Sequence, residues 1–313
     1  MKKILLLSAI TFISAITVTS CNKNEETIIP EDTRKEVKFT SNIVVNHAMT
    51  RMAGDRWNKN DAIGIFMFNE TLTAIVEEKI NIKYSTQSEG KIGDFEADSE
   101  TIYFPDNGNK VQFMSYYPHT TSLDYNIYKV DVSNQTNQSS IDLLHSFQFT
   151  LYDKATPEPV KLIFDHALTK ININVKPGNG LDASDLKDIV VAFEGLNRKA
   201  NFNLLSGQLT NLSDVNTIIP LKVPVVNGYV HSYEAIVIPT VNLSNALIRI
   251  DLQNGDASRN INSDIFSWKY QVNASLSKGT EYTYNITVNR SGLIVEAEIN
   301  EWIDGGEDNI IAE

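Results

Sequence analysis

The amino-acid sequence predicts an all-β protein made of two β-sandwich domains in tandem. Isoleucine, valine, threonine and asparagine are abundant, and long alanine- or leucine-rich helical stretches are missing. Apolar and polar residues alternate along several segments, and glycine- and asparagine-containing turns separate them at short intervals, which is typical of sandwiches. The chain has 313 residues, a length that suits two domains of ordinary size, each with its own core.

The N-terminus has the three parts of a secretory signal peptide. Two lysines precede an apolar run from Ile4 to Val18, which is too short for a membrane span. Cys21, the only cysteine in the sequence, follows two small residues and resembles the acylated cysteine of a bacterial lipobox. We expect residues 1–20 to be removed, Cys21 to carry lipid and residues 21–35 to form a tether. An ordinary signal peptide that happens to end near a cysteine is the alternative.

The first predicted domain, residues 36–157, begins with its clearest strand. From Val37 to Thr50 the apolar residues fall mostly on odd positions and the polar residues on even ones, which predicts a long half-buried strand. The segment Ala62 to Phe68 is apolar on both faces, as expected of a central strand. Three further strands are predicted, at residues 101–104, 111–117 and 125–132.

The second predicted domain, residues 158–313, begins where Pro157 and Pro159 disfavour continued sheet pairing. Its strands are predicted at residues 162–175, 189–193, 200–204, 217–225, 232–238 and 246–252. At the end of the chain, the alternating segment Tyr282 to Val288 turns at residues 289–292 into a second alternating segment. This pattern predicts a hairpin with one face directed to a core.

Charge and motifs exclude several classes of function. Without the two lysines of the signal peptide, 25 basic residues remain against 39 acidic ones, a net charge of −14. Nucleic acid is therefore an unfavourable partner. The sequence contains no HExxH, Walker, GxSxG or GxGxxG motif, and no two of its five histidines have the spacing of metal ligands. We predict no catalytic site, no metal and no cofactor. The histidines are His47, His119, His145, His166 and His231.

Exposed aromatic residues would allow a different function, because sugars stack on flat rings. Trp57, Trp268 and Trp302 are the candidates for such a platform, although aromatic residues at strand positions more often belong to a core. A surface lipoprotein that binds glycans is therefore the alternative interpretation, and it requires that these tryptophans lie flat on the surface.

Five stretches of the sequence follow the lipobox and carry a family resemblance. They are "TRMAGDRWNKNDAIGIFMF" from Thr50, "IYFPDNGNKVQFMSYYP" from Ile102, "LIFDHALTKININV" from Leu162, "ANFNLLSGQL" from Ala200 and "YTYNITVNRSGLIVEAEINEWIDG" from Tyr282. In this order they resemble the fimbrillin-like adhesins of Bacteroides-type bacteria, a family that includes major fimbrial subunits, anchors and tip proteins. The resemblance covers residues 37–304.

The resemblance implies two transthyretin-like β-sandwich domains, a lipoprotein precursor and no enzymatic activity. Major subunits of the family are cut after an arginine that ends the first strand, and a strand of the next subunit fills the groove that is left. Arg51 is the position that matches this arginine. Arg34 and Arg56 fit less well, because a cut at Arg34 would remove only tether and Arg56 lies in the turn before the next strand.

Loss of the first strand would open an apolar groove with unpaired backbone on both sides, which is a template for strand addition. The donor is expected to be the segment Ser291 to Ile299, whose apolar residues have a two-residue period. Because donor and acceptor are different surfaces, the contact is head to tail and gives a filament. The displaced residues would be Val37, Phe39, Ile43 and Val45, and the donor residues Leu293, Val295, Ala297 and Ile299.

We therefore expect a structural adhesion subunit of a cell-surface fimbria, exported to the outer membrane as a lipoprotein and released into the fimbrium by cleavage. Its expected partners are other fimbrial subunits, the outer membrane through the lipid, and a ligand on host or bacterial surfaces. A fimbrial anchor or tip protein that keeps its lipid stays open as an alternative. The N-terminal residue of the surface protein, Met52 or an acylated Cys21, separates these roles.

Overall fold

The computed structural model describes residues 34–43, 56–157, 159–255, 262–270 and 274–302. These residues form strands and one turn of 3₁₀ helix, Gln138–Ser140, but no α-helix, which confirms the predicted all-β class. No helix among them has the length and apolar character needed to cross a membrane. The strands are β1 (Phe39–Ile43), β2 (Ala62–Asn69), β3 (Ile82–Thr86), β4 (Ile92–Ala97), β5 (Val111–Tyr117), β6 (Ile127–Asp131), β7 (Leu144–Phe147), β8 (Val160–His166), β9 (Thr169–Pro177), β10 (Val190–Glu194), β11 (Asn197–Asn203), β12 (Gln208–Val215), β13 (Leu221–Val223), β14 (His231–Val237), β15 (Leu247–Asp251), β16 (Ile265–Lys269), β17 (Thr280–Asn289) and β18 (Gly292–Glu301).

Seven strands form a closed barrel in the order β1-β4-β3-β2-β5-β7-β8. The sequence predicted a sandwich in this part of the chain, and that finer assignment stays a prediction. The barrel closes because β1 pairs with β4 on one side and with β8 on the other. The two edges that an open sheet would leave unpaired are thereby satisfied by one strand.

Strand β2 is buried on both faces, as its uninterrupted apolar sequence predicted. Ile63, Ile65 and Met67 belong to the core inside the barrel. Phe66 and Phe68 point the other way and belong to a second, larger core. Because successive side chains of a strand point to opposite faces, a strand between two cores must be apolar throughout.

A three-stranded sheet in the order β12-β11-β6 contributes to the second core. It joins β6, which precedes the predicted boundary at residue 157, to β11, which follows it, with Phe202 opposite Tyr128. Strand β8 also follows residue 157, and it pairs within the barrel. The division into domains at residue 157 stays a prediction, and strands from both sides of it share sheets.

The rest of the chain forms a five-stranded sheet in the order β13-β14-β9-β17-β18 and a three-stranded sheet in the order β10-β15-β16. Side chains from both sheets belong to the larger core. The predicted terminal hairpin is confirmed, since β17 and β18 pair in one regular register from Thr280 opposite Glu301 to Asn289 opposite Gly292.

Other strand predictions are corrected by the structure. Residues 162–175 were predicted as one strand, but they are β8 and β9, which belong to different sheets because the chain changes direction at Ala167 and Leu168. Residues 101–104 form only an isolated bridge between Tyr103 and Glu36. Strands β3, β4, β7, β12 and β16 were not predicted. They are short or carry many polar residues, so their pairing partners rather than their periodicity make them strands.

A buried cluster of charges connects three strands of the five-stranded sheet. Lys170 of β9 lies between Glu234 of β14 and Glu281 of β17, with Nζ to Oε2 distances of 3.9 and 3.8 Å. Lys170 and Glu234 are almost fully buried. Burial raises the pKa of Glu234, Lys170 opposes this rise and Glu281 adds to it. One cation thus faces two carboxylates, and the cluster holds an excess of negative charge.

We predict that Glu234→Gln raises the free energy of unfolding at neutral pH by about 1 kcal/mol. The substitution replaces a buried carboxylate with a neutral amide, and Lys170 keeps its ion pair with Glu281. The pKa of Glu234 is raised in the folded state, so the wild-type chain loses stability as pH rises through that pKa. The gain of the variant should therefore shrink near pH 4. Urea unfolding at both pH values measures it, with the exposed Glu296→Gln as control. A less stable variant at neutral pH would contradict this account.

Candidate functional site

Strand β1 is the element that closes the barrel. Residues 39–42 pair antiparallel with residues 95–92 of β4. On the other side, residues 39–43 pair in parallel with residues 160–164 of β8. Two further backbone hydrogen bonds extend the contact, from Val37 N to Ile102 O (2.9 Å) and from Val160 N to Lys38 O (2.8 Å). Both edges of β1 are therefore in use.

Alternate residues of β1 and of the segment before it face the barrel interior, as the sequence predicted. Val37 and Ser41 are fully buried, and Phe39 is 2% exposed. The ring of Phe39 packs edge-on against Tyr84 and Phe113, with centroid distances of 5.2 and 5.0 Å. The first strand is thus a part of the barrel core and not a surface addition to it.

The structure describes some of the predicted processing and displaced residues. Val37 and Phe39 lie in the core of the barrel. Ile43 is the last residue of β1 and its backbone pairs with Phe164. Three further predicted residues, Val45, the cleavage candidate Arg51 and the lipidation candidate Cys21, lie outside the described residues.

Trp57 lies inside the barrel and contacts both strands that flank β1. Its ring contacts Phe95 of β4 and Phe164 of β8 edge-on, with centroid distances of 5.1 and 5.4 Å. Trp57 also exchanges backbone hydrogen bonds with Gly90, at 2.8 and 3.0 Å. Since β4 and β8 are the two neighbours of β1, Trp57 links both sides of the space that β1 occupies.

Gly93 of β4 lies directly opposite Ser41 of β1. A Cβ atom at Gly93 would lie 2.8 Å from the Phe95 ring and 2.9 Å from the Trp57 ring, so no larger residue fits without movement. The barrel is therefore filled at this level by Trp57 and Phe95, and both strands contribute small residues. No pattern in the sequence predicted this feature. A glycine within a strand indicates a close approach, but it does not say which group approaches.

The predicted donor segment forms β18, an edge strand of the five-stranded sheet. Leu293 and Val295 are partly buried and pack against the larger core. Ala297 is exposed, and Ile299 is 63% exposed. The predicted row of four donor residues is therefore half covered and half accessible on the subunit itself.

Trp302 holds the end of β18 against the core. Its ring stacks on His166 with a centroid distance of 3.8 Å, and its backbone N–H donates to Gly279 O at 2.8 Å. The Nδ1 atom of His166 lies 3.0 Å from Oδ1 of Asp142, and both residues are buried. The C-terminal edge strand thus ends in a packed contact.

The three tryptophans do not form a surface platform. Trp57 is 1% exposed and Trp302 is 8% exposed. Trp268 is half-buried and packs against Tyr270 and Tyr284, at centroid distances of 5.0 and 5.6 Å. The glycan-binding interpretation required flat exposed tryptophans, and these rings are used for packing. Within the described part of the chain, no group of three histidine, aspartate or glutamate residues is arranged to hold a metal ion.

We predict that Phe39→Ala lowers the free energy of unfolding by about 3–5 kcal/mol, because it empties the space between Tyr84 and Phe113. Lys38→Ala, on the exposed face of the same segment, should change it by about 0.5 kcal/mol or less. Urea unfolding of the full chain measures both. Equal effects of the two substitutions would show that β1 contributes little to the barrel core.

The fold and the matched residues agree with one family. The sequence model of the fimbrillin-like family matches residues 50–302. A protein of Bacteroides uniformis, provisionally named fimbrium subunit Fim1C, is 30% identical over 313 residues, which are 97% of this chain and 97% of that protein.

Two solved structures with the same fold come from Bacteroides species. A crystal structure from Bacteroides uniformis, provisionally described as a cell adhesion protein, is 28% identical with a TM-score of 0.69, and the match covers 87% of this chain and 99% of that chain. A second, from Bacteroides ovatus and described in the same way, is 21% identical with a TM-score of 0.64, covering 88% and 99%. The second likeness concerns the fold alone.

Proposed function

The chain belongs to the fimbrillin-like family, and we propose that it is a fimbrial subunit that is exported as a lipoprotein, cut at Arg51 and assembled by strand exchange. Its relatives are fimbrial and cell adhesion proteins, so the chain is a structural protein of the cell surface and not an enzyme. As part of the proposal we keep two transthyretin-like domains, with six of the seven barrel strands in the first, residues 36–157, and β8 in the second.

The observation that carries the proposal is the position of β1 in the barrel. Arg51 lies between β1 and Trp57 in the sequence, so one cut separates β1 from every later strand. The freed segment is held only by non-covalent contacts, among them the burial of Val37 and Phe39, which contributes roughly 1.5–3 kcal/mol each before entropy is subtracted. Its departure leaves β4 and β8 with open edges beside an apolar groove.

The cut also removes the lipid. In the proposal Cys21 holds the precursor at the outer membrane through its acyl chains. Because Cys21 and β1 lie on the same side of Arg51, cleavage discards the anchor and the closing strand together. Release from the membrane and readiness for assembly are then one event. The filament presents the subunits at the cell surface, where a ligand on host or bacterial cells would be met.

The donor in this proposal is β18 of a second copy. It lies at the edge of its sheet, paired with β17, and it leaves β17 to insert between β4 and β8 of the neighbour; two of its four predicted donor residues are already accessible. Its apolar residues have the two-residue period that a groove buried on one face requires. An acceptor at β4 and β8 and a donor at β18 are different surfaces, so the subunits join head to tail.

We predict that Arg51→Ala prevents both release and assembly. Wild-type chain treated with an arginine-specific protease should yield a fragment that begins at Met52 and forms detergent-resistant ladders, because the groove is then open. The variant should stay monomeric with β1 in place. N-terminal sequencing and denaturing electrophoresis measure the two results.

The matched control is Arg56→Ala, which should behave like the wild-type chain. Ladders from Arg51→Ala in amounts equal to wild type would contradict the cleavage site. Surface protein that keeps an acylated Cys21 and forms no ladders would instead identify an anchor.

A further inference from the structure

The groove left by β1 is narrow at the position of Ser41, and we call this position the narrow level. Gly93 of β4 lies opposite Ser41, and the rings of Trp57 and Phe95 lie where a side chain on Gly93 would be. Directly opposite residues of an antiparallel pair project to the same face with Cβ atoms about 5 Å apart. A large side chain at position 41 would therefore meet the same two rings. Trp57 and Phe95 both follow Arg51 in the sequence, so the narrow level stays with the cleaved subunit.

We propose that this narrow level fixes the register of strand exchange, so that Ala297 of a second copy takes the place of Ser41. The inference rests on the proposed function. Leu293 then replaces Val37, Val295 replaces Phe39, and Ile299 replaces Ile43. In both segments the small residue follows two larger apolar residues at a two-residue spacing. In this proposal Trp57 determines which strand the subunit accepts and which residue of that strand takes position 41.

Other registers fail for physical reasons. A shift of the donor by two residues places Ile299 or Val295 at position 41, where overpacking is expected. A shift by one residue turns Glu296 and Glu298 into the barrel, and burying an unpaired carboxylate is unfavourable. A reversed strand places Leu293, Val295 or Ile299 at position 41 or, with Ala297 there, Glu301 at the fully buried position of Val37. Only the matched register places a small residue at position 41 and keeps charged residues out of the apolar interior of the barrel.

The matched register has an electrostatic cost. It brings Glu296 next to Asp94, since Asp94 is opposite Thr40 in the uncut chain. Both acidic residues are exposed on their own subunits. Two like charges on the outer face of a strand pair destabilise it, and salt screens them. The charged outer face of the donor strand therefore makes subunit association depend on ionic strength, and its apolar inner face determines the register.

Ala297 offers a direct test because it is exposed on the free subunit. Ala297→Phe should leave the thermal unfolding of the full chain unchanged. After arginine-specific cleavage it should reduce ladder formation by about tenfold or more, because the larger ring meets Trp57. The matched control is Glu298→Phe, the same new side chain on the next residue, which faces outward in the groove and should still form ladders.

The register itself is read by cross-linking. The full chain carries Asp94→Cys with Glu296→Cys, or Asp94→Cys with Glu298→Cys, and is cleaved and treated with a short thiol cross-linker. The first pair should link neighbouring subunits, since Thr40 Oγ1 donates to Asp94 Oδ1 at 3.2 Å in the position that Glu296 would take. Stronger linking through the second pair would show a strand shifted by two residues, or a reversed strand with Ala297 at position 41, and would overturn the proposal.

The results also separate this proposal from the proposed function. If cleaved wild-type chain forms no ladders, strand exchange itself fails, and the register fails with it. If wild-type chain forms ladders and Ala297→Phe forms them equally well, strand exchange stands and the register proposal is wrong. Loss of ladders in both Ala297→Phe and Glu298→Phe would also overturn it, because the effect would not depend on the inward face.

Discussion

The double pairing of β1 is the constraint on which the rest of the barrel depends. This strand connects β4 to β8, and without it the closed sheet has two free edges. Backbone groups on a free edge pair readily with any suitable strand. Because Val37 and Phe39 fill the space between those edges, the opening would be apolar as well as unpaired. A fold closed in this way is complete and still depends on one short segment near its N-terminus.

The remaining strands pack against one another around β1. Strand β2 lies between two cores, and Phe66 and Phe68 bind the outside of the barrel to the larger one. That core receives strands from before and after residue 157. Trp57 adds a link between β4 and β8 inside the barrel. These contacts do not involve β1, so the rest of the barrel has packing contacts of its own, made by residues that follow β1 in the sequence.

Strands β1 and β18 differ in how well the alternation of apolar residues predicts which side chains are buried. The alternation of Val37 and Phe39 indicated an inward face, and that face was found in the barrel. Leu293 and Val295 also alternate correctly, and they do pack against a core. Their neighbours Ala297 and Ile299 have the same pattern but are exposed. Periodicity says which residues share a face, whereas the partner layer decides whether that face is covered.

The sequence by itself determined the all-β class, the terminal hairpin, the two-sided burial of β2 and the resemblance to fimbrillin-like proteins, because each depends on local patterns. Only the tertiary structure decided that β1 closes a barrel, that residues 162–175 divide between two sheets, and that Trp57 covers Gly93 opposite Ser41. These features join residues far apart in the sequence. No local pattern encodes such a contact, because its geometry depends on which strands become neighbours when the sheets close.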